Sequence, residues 1–166
     1  MNLAFLPWQQ ADIIRHSLRL RDSFEHWTGE TLGQSAQVTP DAMVSDRPSA
    51  IARDLFYAPF ALLSHGMEAD PILNYGNQQT LNLWEITWDD LTHMPSRLTA
   101  EASEWQDRAQ LLNQATQQGY ICNYQGVRIS TTGRRFQIQN AEIWDVLDEQ
   151  GQKCGQAARF NQWQWL

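Results

Sequence analysis

The sequence predicts an α+β fold: an antiparallel sheet of about five strands with helices on one face, preceded by an N-terminal helical extension. Three observations predict it. Apolar residues recur at helical spacing near the N-terminus, ahead of a polar stretch punctuated by prolines. Two short apolar runs then flank an acidic turn in "SHGMEADPILNYGN", from Ser64 to Asn77. The last third reads as strand-like segments joined by glycine turns.

In the first segment Ile13, Ile14, Leu18, Phe24 and Trp27 share one helical stripe, and Gly29 is the expected stop. Residues 30–49, polar and broken by Pro40 and Pro48, read as a loop or linker. Residues 1–49 are therefore expected as an N-terminal helix and linker packing on the domain, and residues 50–166 as the domain itself. "AIARDLFYAP" is a short helix that must end near Pro59. "FALLSHG" and "ILNYGN" are strands around the turn "MEADP". Asn77 caps a helix through "QQTLNLWE", and Thr87 caps another, "TWDDLTHM", that Pro95 closes. Thr99 is expected to cap the longest helix, "AEASEWQDRAQLLNQATQQ", with Ala102, Trp105, Ala109, Leu112 and Ala115 on its inner stripe and Gly119 at the exit.

The remainder is a meander of "YICNYQGVRIS", "RRFQIQNAEIWDVLD" and "KCGQAARFNQWQW", turned at "TTG" and "EQGQ". Within "EIWDVL", Ile143 and Leu147 face one side while Trp144 and Val146 face the other. A strand apolar on both faces is covered on both. One cover is the helical core; the other is the N-terminal helix, a second copy of the chain, or both in part. Phe160 is out of phase with Trp163 and Trp165, which calls for a bulge or a covered outer face.

Composition narrows the function. The 166 residues suffice for one domain with a proper core, and eight tryptophans imply a bulky aromatic interior or an apolar contact surface. A net charge of −7 argues against a nucleic-acid surface, which needs a clustered basic face. Arg128, Arg134 and Arg135 read as rim charges, with Arg128 and Arg135 facing either a pocket or solvent. No secretory signal and no membrane-length apolar run is present, so no membrane association and a cytoplasmic location are expected. Cys122 and Cys154 have neither metal-site nor disulfide-framework spacing.

Two strands, three helices and a three-stranded meander, in that order, resemble the PAS fold, in which a small-molecule pocket lies between the sheet and the central helices. A closer resemblance is carried by "APFALLSHGMEADPILNYGN", "LWEITWDDL", "PSRLTAE", "GVRISTTGRRFQI" and "GQAARFNQW". Together these are similar to the MEKHLA domain family across residues 10–166. That family occurs as stand-alone bacterial and cyanobacterial proteins, and as the C-terminal domain of plant class III homeodomain–leucine-zipper regulators. The resemblance implies a cytosolic PAS-like sensory or regulatory module that binds a small molecule or a protein partner and serves signal transduction. It supplies no ligand. The sequence shows neither homeodomain nor zipper, so the plant proteins' DNA role does not carry over.

The chemical readings are weaker. Ser64 and His65 are neighbours on a strand, so their side chains diverge and form no nucleophile–base pair. His65, Glu68 and Asp70 in one turn suit solvation and backbone capping better than a metal. Asp89 and His93, four apart on a helix, suit its dipole at either end. Haem would need one of His16, His26, His65 and His93, of which His93 is best placed to face inward. Both cysteines fall on predicted strands, which disfavours covalent flavin photochemistry; non-covalent flavin stays open.

The expected pocket residues are Tyr75, Asn77, Trp84, Arg97 and His93, with Arg97 holding an anionic group or, equally, nearby carbonyls or Glu101. Trp27, Trp144, Trp163 and Trp165 are the expected interaction surface, serving a homodimer through the N-terminal helix or outer sheet face, or another partner. Two other classes compete. One is a purely structural interaction domain with a packed interior. The other is a small acid–base enzyme using His65 or His93, with Arg97 orienting its substrate.

Overall fold

The computed structural model describes residues 6–33 and 46–166, so most of the linker expected over residues 30–49 lies outside the described residues. Helix α1 (Ala11–Thr28) ends at Gly29, whose positive φ of 72° closes the last turn. Helix α2 (Arg47–Phe56) starts earlier than the sequence reading placed it. Asp46 accepts from the Ser49 amide at 2.7 Å, and Pro48 sits in the first turn, where its missing N–H costs nothing.

Strands β1 (Ala61–His65) and β2 (Leu73–Gly76) form the first hairpin. Helices α3 (Gln78–Trp84) and α4 (Trp88–Leu91) are capped by the Asn77 and Thr87 side chains, as their sequences indicate. The Thr99 cap is not made. Its hydroxyl donates back to the Ser96 carbonyl within a 3-10 turn, and α5 (Trp105–Gln118) begins after a second such turn. At 14 residues α5 is also shorter than the 18-residue α1, so it is not the longest helix.

Strands β3 (Tyr120–Ile129), β4 (Arg135–Leu147), β5 (Lys153–Phe160) and β6 (Gln162–Trp165) complete the antiparallel sheet in the order β2-β1-β5-β4-β3. The second half of β4 pairs with β5 and its first half with β6. A bend at Asn161 separates these last strands and resets the side-chain phase. Phe160, Trp163 and Trp165 thereby pack into one aromatic row with Phe136 and Trp84.

Both faces of the sheet are covered. On the inner face Trp84, Ala115, Phe136, Ile138, Ile143 and Phe160 form a core beneath α3 and α5. On the outer face Leu20 and Phe24 of α1, with Ile51 and Leu55 of α2, meet Leu62, Tyr75, Trp144 and Val146. Trp144 is fully buried, and Phe24 meets it edge-on at 4.9 Å between centroids. Truncating an aromatic side chain so placed costs about 3–5 kcal/mol. Trp27 donates its indole N–H to the Asp145 carbonyl at 2.9 Å and lies where a Cβ on Gly119 would stand, so the α5–β3 turn requires glycine. Ser23 bonds the backbone of Leu147.

His16 also pins α1 to the sheet. Its Nε2 lies 2.8 Å from the Ser64 oxygen, and Ser64 donates its own proton to Asn74 Oδ1 at 2.6 Å, so the ring is the donor. The serine proton is thus committed away from the imidazole, the opposite of nucleophile activation. Burial pushes the His16 pKa down from 6.5 to about 4, with Arg19 acting in the same direction and Asp12 against it.

Two outcomes test this frame. Asn77 accepts from the amides of Leu62 and Thr80 and donates to the carbonyls of Leu55 and Phe60, all within 3.1 Å. Asn77→Asp turns the two donors into an acceptor facing two carbonyls. It is expected to lose about 3 kcal/mol or more by urea unfolding at pH 7, and a loss under ~1 kcal/mol contradicts the bonding. The second outcome concerns His16, which stays neutral when folded but charges below pH 6.5 when unfolded, so the unfolded state binds the extra proton between pH 6.5 and 4. Its contribution is complete above 6.5 and is lost as pH falls toward 4, on the order of 3 kcal/mol in all. Unfolding curves of His16→Gln should lack that share of the acid destabilisation; curves parallel to wild type contradict it.

Candidate functional site

Between the inner sheet face and the helices lies a cavity of about 60 Å³. Its apolar wall includes Leu63, Leu73, Trp84, Leu112, Ile138, Ile143 and Phe160, and its polar wall His65, Ser96, Thr99, Arg108, Tyr124, Arg128 and Gln156. One water fills roughly 10–15 Å³ of such space, so the cavity suits a ligand of about half a dozen heavy atoms.

Helical spacing brings Arg108 inward. It shares a stripe with Leu111, Leu112 and Ala115 of α5, and its Nη2 donates to Ser96 Oγ at 3.1 Å. Burial, and then Arg128 beside it, pushes the Arg108 pKa down to about 10. Arg128 comes from β3, in phase with Tyr124 and Ser130, which are buried like it. Its Nη1 donates to the Val127 carbonyl at 2.8 Å and its Nη2 to the Tyr124 hydroxyl. A Cβ on Gly126 would press on this guanidinium at 2.8 Å, so glycine leaves the space it occupies.

His65 Nδ1 bonds the Gly66 carbonyl, and burial holds the ring's pKa below its ordinary value. Gln156 Nε2 donates to the Leu112 carbonyl and to Thr116 Oγ1, tying β5 to α5. Lys153 lies 3.2 Å from Asp145, which balances that charge at the edge of the region. No carboxylate lines the cavity among the described residues. Arg108 also lines an outer groove on each side of α5: one is shared with Arg128, Glu104 and Asp107, the other with His65 and Gln156.

Of the expected pocket residues, Trp84 lines the cavity, donating its indole N–H to the Thr99 carbonyl. Tyr75 is buried in the outer core, in ring contact with His16 and Trp88. Asn77 is a structural knot, as above. Arg97 binds exposed Asp70 and lies over the Trp105 ring at 4.9 Å. His93 is exposed just past the end of α4 and bonds the Asp89 carbonyl of that helix; among the histidines it is His65 that lines the cavity. Of the expected surface, Trp144 is fully buried, Trp27 and Trp163 are half-buried, and Trp165 is exposed beneath Arg134. Sequence reasoning missed Arg108, Tyr124 and Gln156. A usable signal existed for the first: Arg108, Leu111, Leu112 and Ala115 stand at i, i+3, i+4 and i+7.

Solved structures share the fold. A PAS domain of a Colwellia psychrerythraea protein superposes with a TM-score of 0.56 at 13% identity, covering 65% of this chain and 90% of that one. An RNA-binding light-oxygen-voltage receptor gives 0.61 at 15% identity, covering 78% of this chain and 36% of that one. A light-oxygen-voltage domain studied with a flavin analogue gives 0.52 at 12% identity, covering 64% and 76%. In sequence, the chain is 26% identical over 106 residues to the homeobox-leucine zipper protein ATHB-15 of Arabidopsis thaliana, covering 64% of this chain and 13% of that protein. Homeobox-leucine zipper protein HOX29 of Oryza sativa subsp. indica is 26% identical over 102 residues, covering 61% and 12%. The chain thus spans about an eighth of the length of these plant relatives. The family model for the MEKHLA domain matches residues 14–165, taking in both helical covers and every cavity residue, and the chain belongs to the MEKHLA domain family.

Proposed function

We propose that this chain is a cytosolic sensory module that takes a small molecule into the cavity between its sheet and α5. The observation that carries this reading is the cavity itself, an apolar wall facing a wall of converging polar groups, a make-up that suits a small-molecule site. A purely structural domain has no use for a void beside one buried and one half-buried guanidinium group, and voids lower stability.

Helix α5 is the wall best suited to report occupancy. Ala115 is its one buried residue, so little apolar contact holds the helix down. A ligand touching both Arg108 and the sheet favours conformations in which α5 is closed, and shifts the population toward them. The signal then passes outward to a partner chain or domain. The outer sheet face is already occupied by α1 and α2, so a second copy would engage α5, the outer side of α1 or a sheet edge.

Filling the cavity separates this reading from a packed interior. Ala158→Leu puts three extra carbons into the cavity. Its unfolding free energy is expected within about 1 kcal/mol of wild type, and fragments that raise the wild-type Tm should leave the variant unmoved. A loss of about 1–3 kcal/mol, the cost of overpacking a filled core, contradicts the proposal.

A further inference from the structure

We propose that the cavity takes a small organic anion: a carboxylate on an apolar body, gripped by Arg108 from α5 and Arg128 from β3. This rests on the reading of the cavity as a ligand site and names what that site selects.

The charge pattern carries the inference. Arg19, Arg97, Arg134, Arg135 and Arg159 each pair with a carboxylate, from Glu149, Asp70, Glu85, Glu101 and Glu142 respectively. The two arginines of the cavity pair with none among the described residues, in a chain whose net charge is −7. Glu104 and Asp107 line the groove outside both, yet bond to neither. A guanidinium is a fork of N–H donors. Arg108 commits one bond, to Ser96, and Arg128 two, to Val127 and Tyr124, so both keep donors for a further acceptor. A buried cation beside a half-buried one is costly unless an anion joins them.

Size and the opposite wall complete the description. The space suits about half a dozen heavy atoms, and Trp84, Ile138, Ile143 and Phe160 offer an apolar bed to whatever the arginines do not hold. A bare inorganic anion would use the charge and waste the bed. A neutral molecule would use the bed and leave the cations unmet. A short-chain or small branched carboxylate satisfies both.

The test is calorimetric titration of the full chain with propionate, butyrate, isovalerate and hexanoate, each beside its primary amide at matched ionic strength. At least one carboxylate should saturate one-to-one, with its amide about tenfold or more weaker. Arg108→Gln and Arg128→Gln should each weaken that carboxylate about tenfold or more. Without added probe, Arg108→Gln should raise the Tm by removing one of two like charges, whereas a merely structural arginine would lower it. Amides that bind as well as carboxylates and are blocked by Ala158→Leu would overturn the anion and leave the cavity reading standing. Inorganic phosphate binding as tightly as any carboxylate would overturn the apolar half. If neither carboxylates nor amides bind the wild-type chain, both readings fall; the paired titrations decide this without relying on any variant's folding.

Discussion

The structure depends on strand β4 being apolar on both sides. Ile143 and Ile138 look into the inner core while Trp144 and Val146 look into the outer one, so the sheet cannot be left with a wet face. Helix α1 answers that constraint through Phe24 against Trp144, Trp27 on the Asp145 carbonyl and Ser23 on the Leu147 backbone. Because Trp27 also stacks on Gly119, the same helix fixes where α5 ends and β3 begins. The outer cover therefore sets the geometry of the inner face, although none of its residues is on the arginine wall.

The two faces differ in how they treat charge. On the outer side His16 is held neutral and its hydrogen bonds are closed within the chain. On the inner side the guanidinium groups of Arg108 and Arg128 share one cavity with His65, whose charging burial opposes. The inner arrangement is intelligible as a cradle for negative charge, which is why the functional reading rests there and not on the better-packed aromatic surfaces.

Much of the fold was legible because local signals agreed with one another. Asn77 and Thr87 cap the helices that their sequences announce, Gly29, Gly133 and Gly151 turn the chain where expected, and the two-faced β4 foretold a second cover. Legibility failed where two local rules competed. Pro48 reads as a loop breaker but serves in the first turn of α2, and Thr99 reads as a cap but spends its hydroxyl on Ser96. The cavity was harder to see. Trp84 stood out as a large aromatic, yet Arg108 looks like one of many surface charges unless it is placed on the stripe of Leu112 and Ala115. Arg97 and His93 look chemically apt, but exposed carboxylate and carbonyl partners satisfy them locally. Which arginine pairs with an acid is a long-range fact that sequence spacing does not carry.

The central claim is that the arginine-lined cavity is a working ligand site. Native mass spectrometry of the chain purified from its own host, beside an Arg108→Gln/Arg128→Gln double variant prepared identically, tests it most directly. The account predicts an added mass of about 70–120 Da on the wild-type chain, the range for carboxylic acids of about five to eight heavy atoms, and its absence from the double variant. Identical spectra from the two proteins, both at the bare chain mass or both carrying the same adduct, would contradict it.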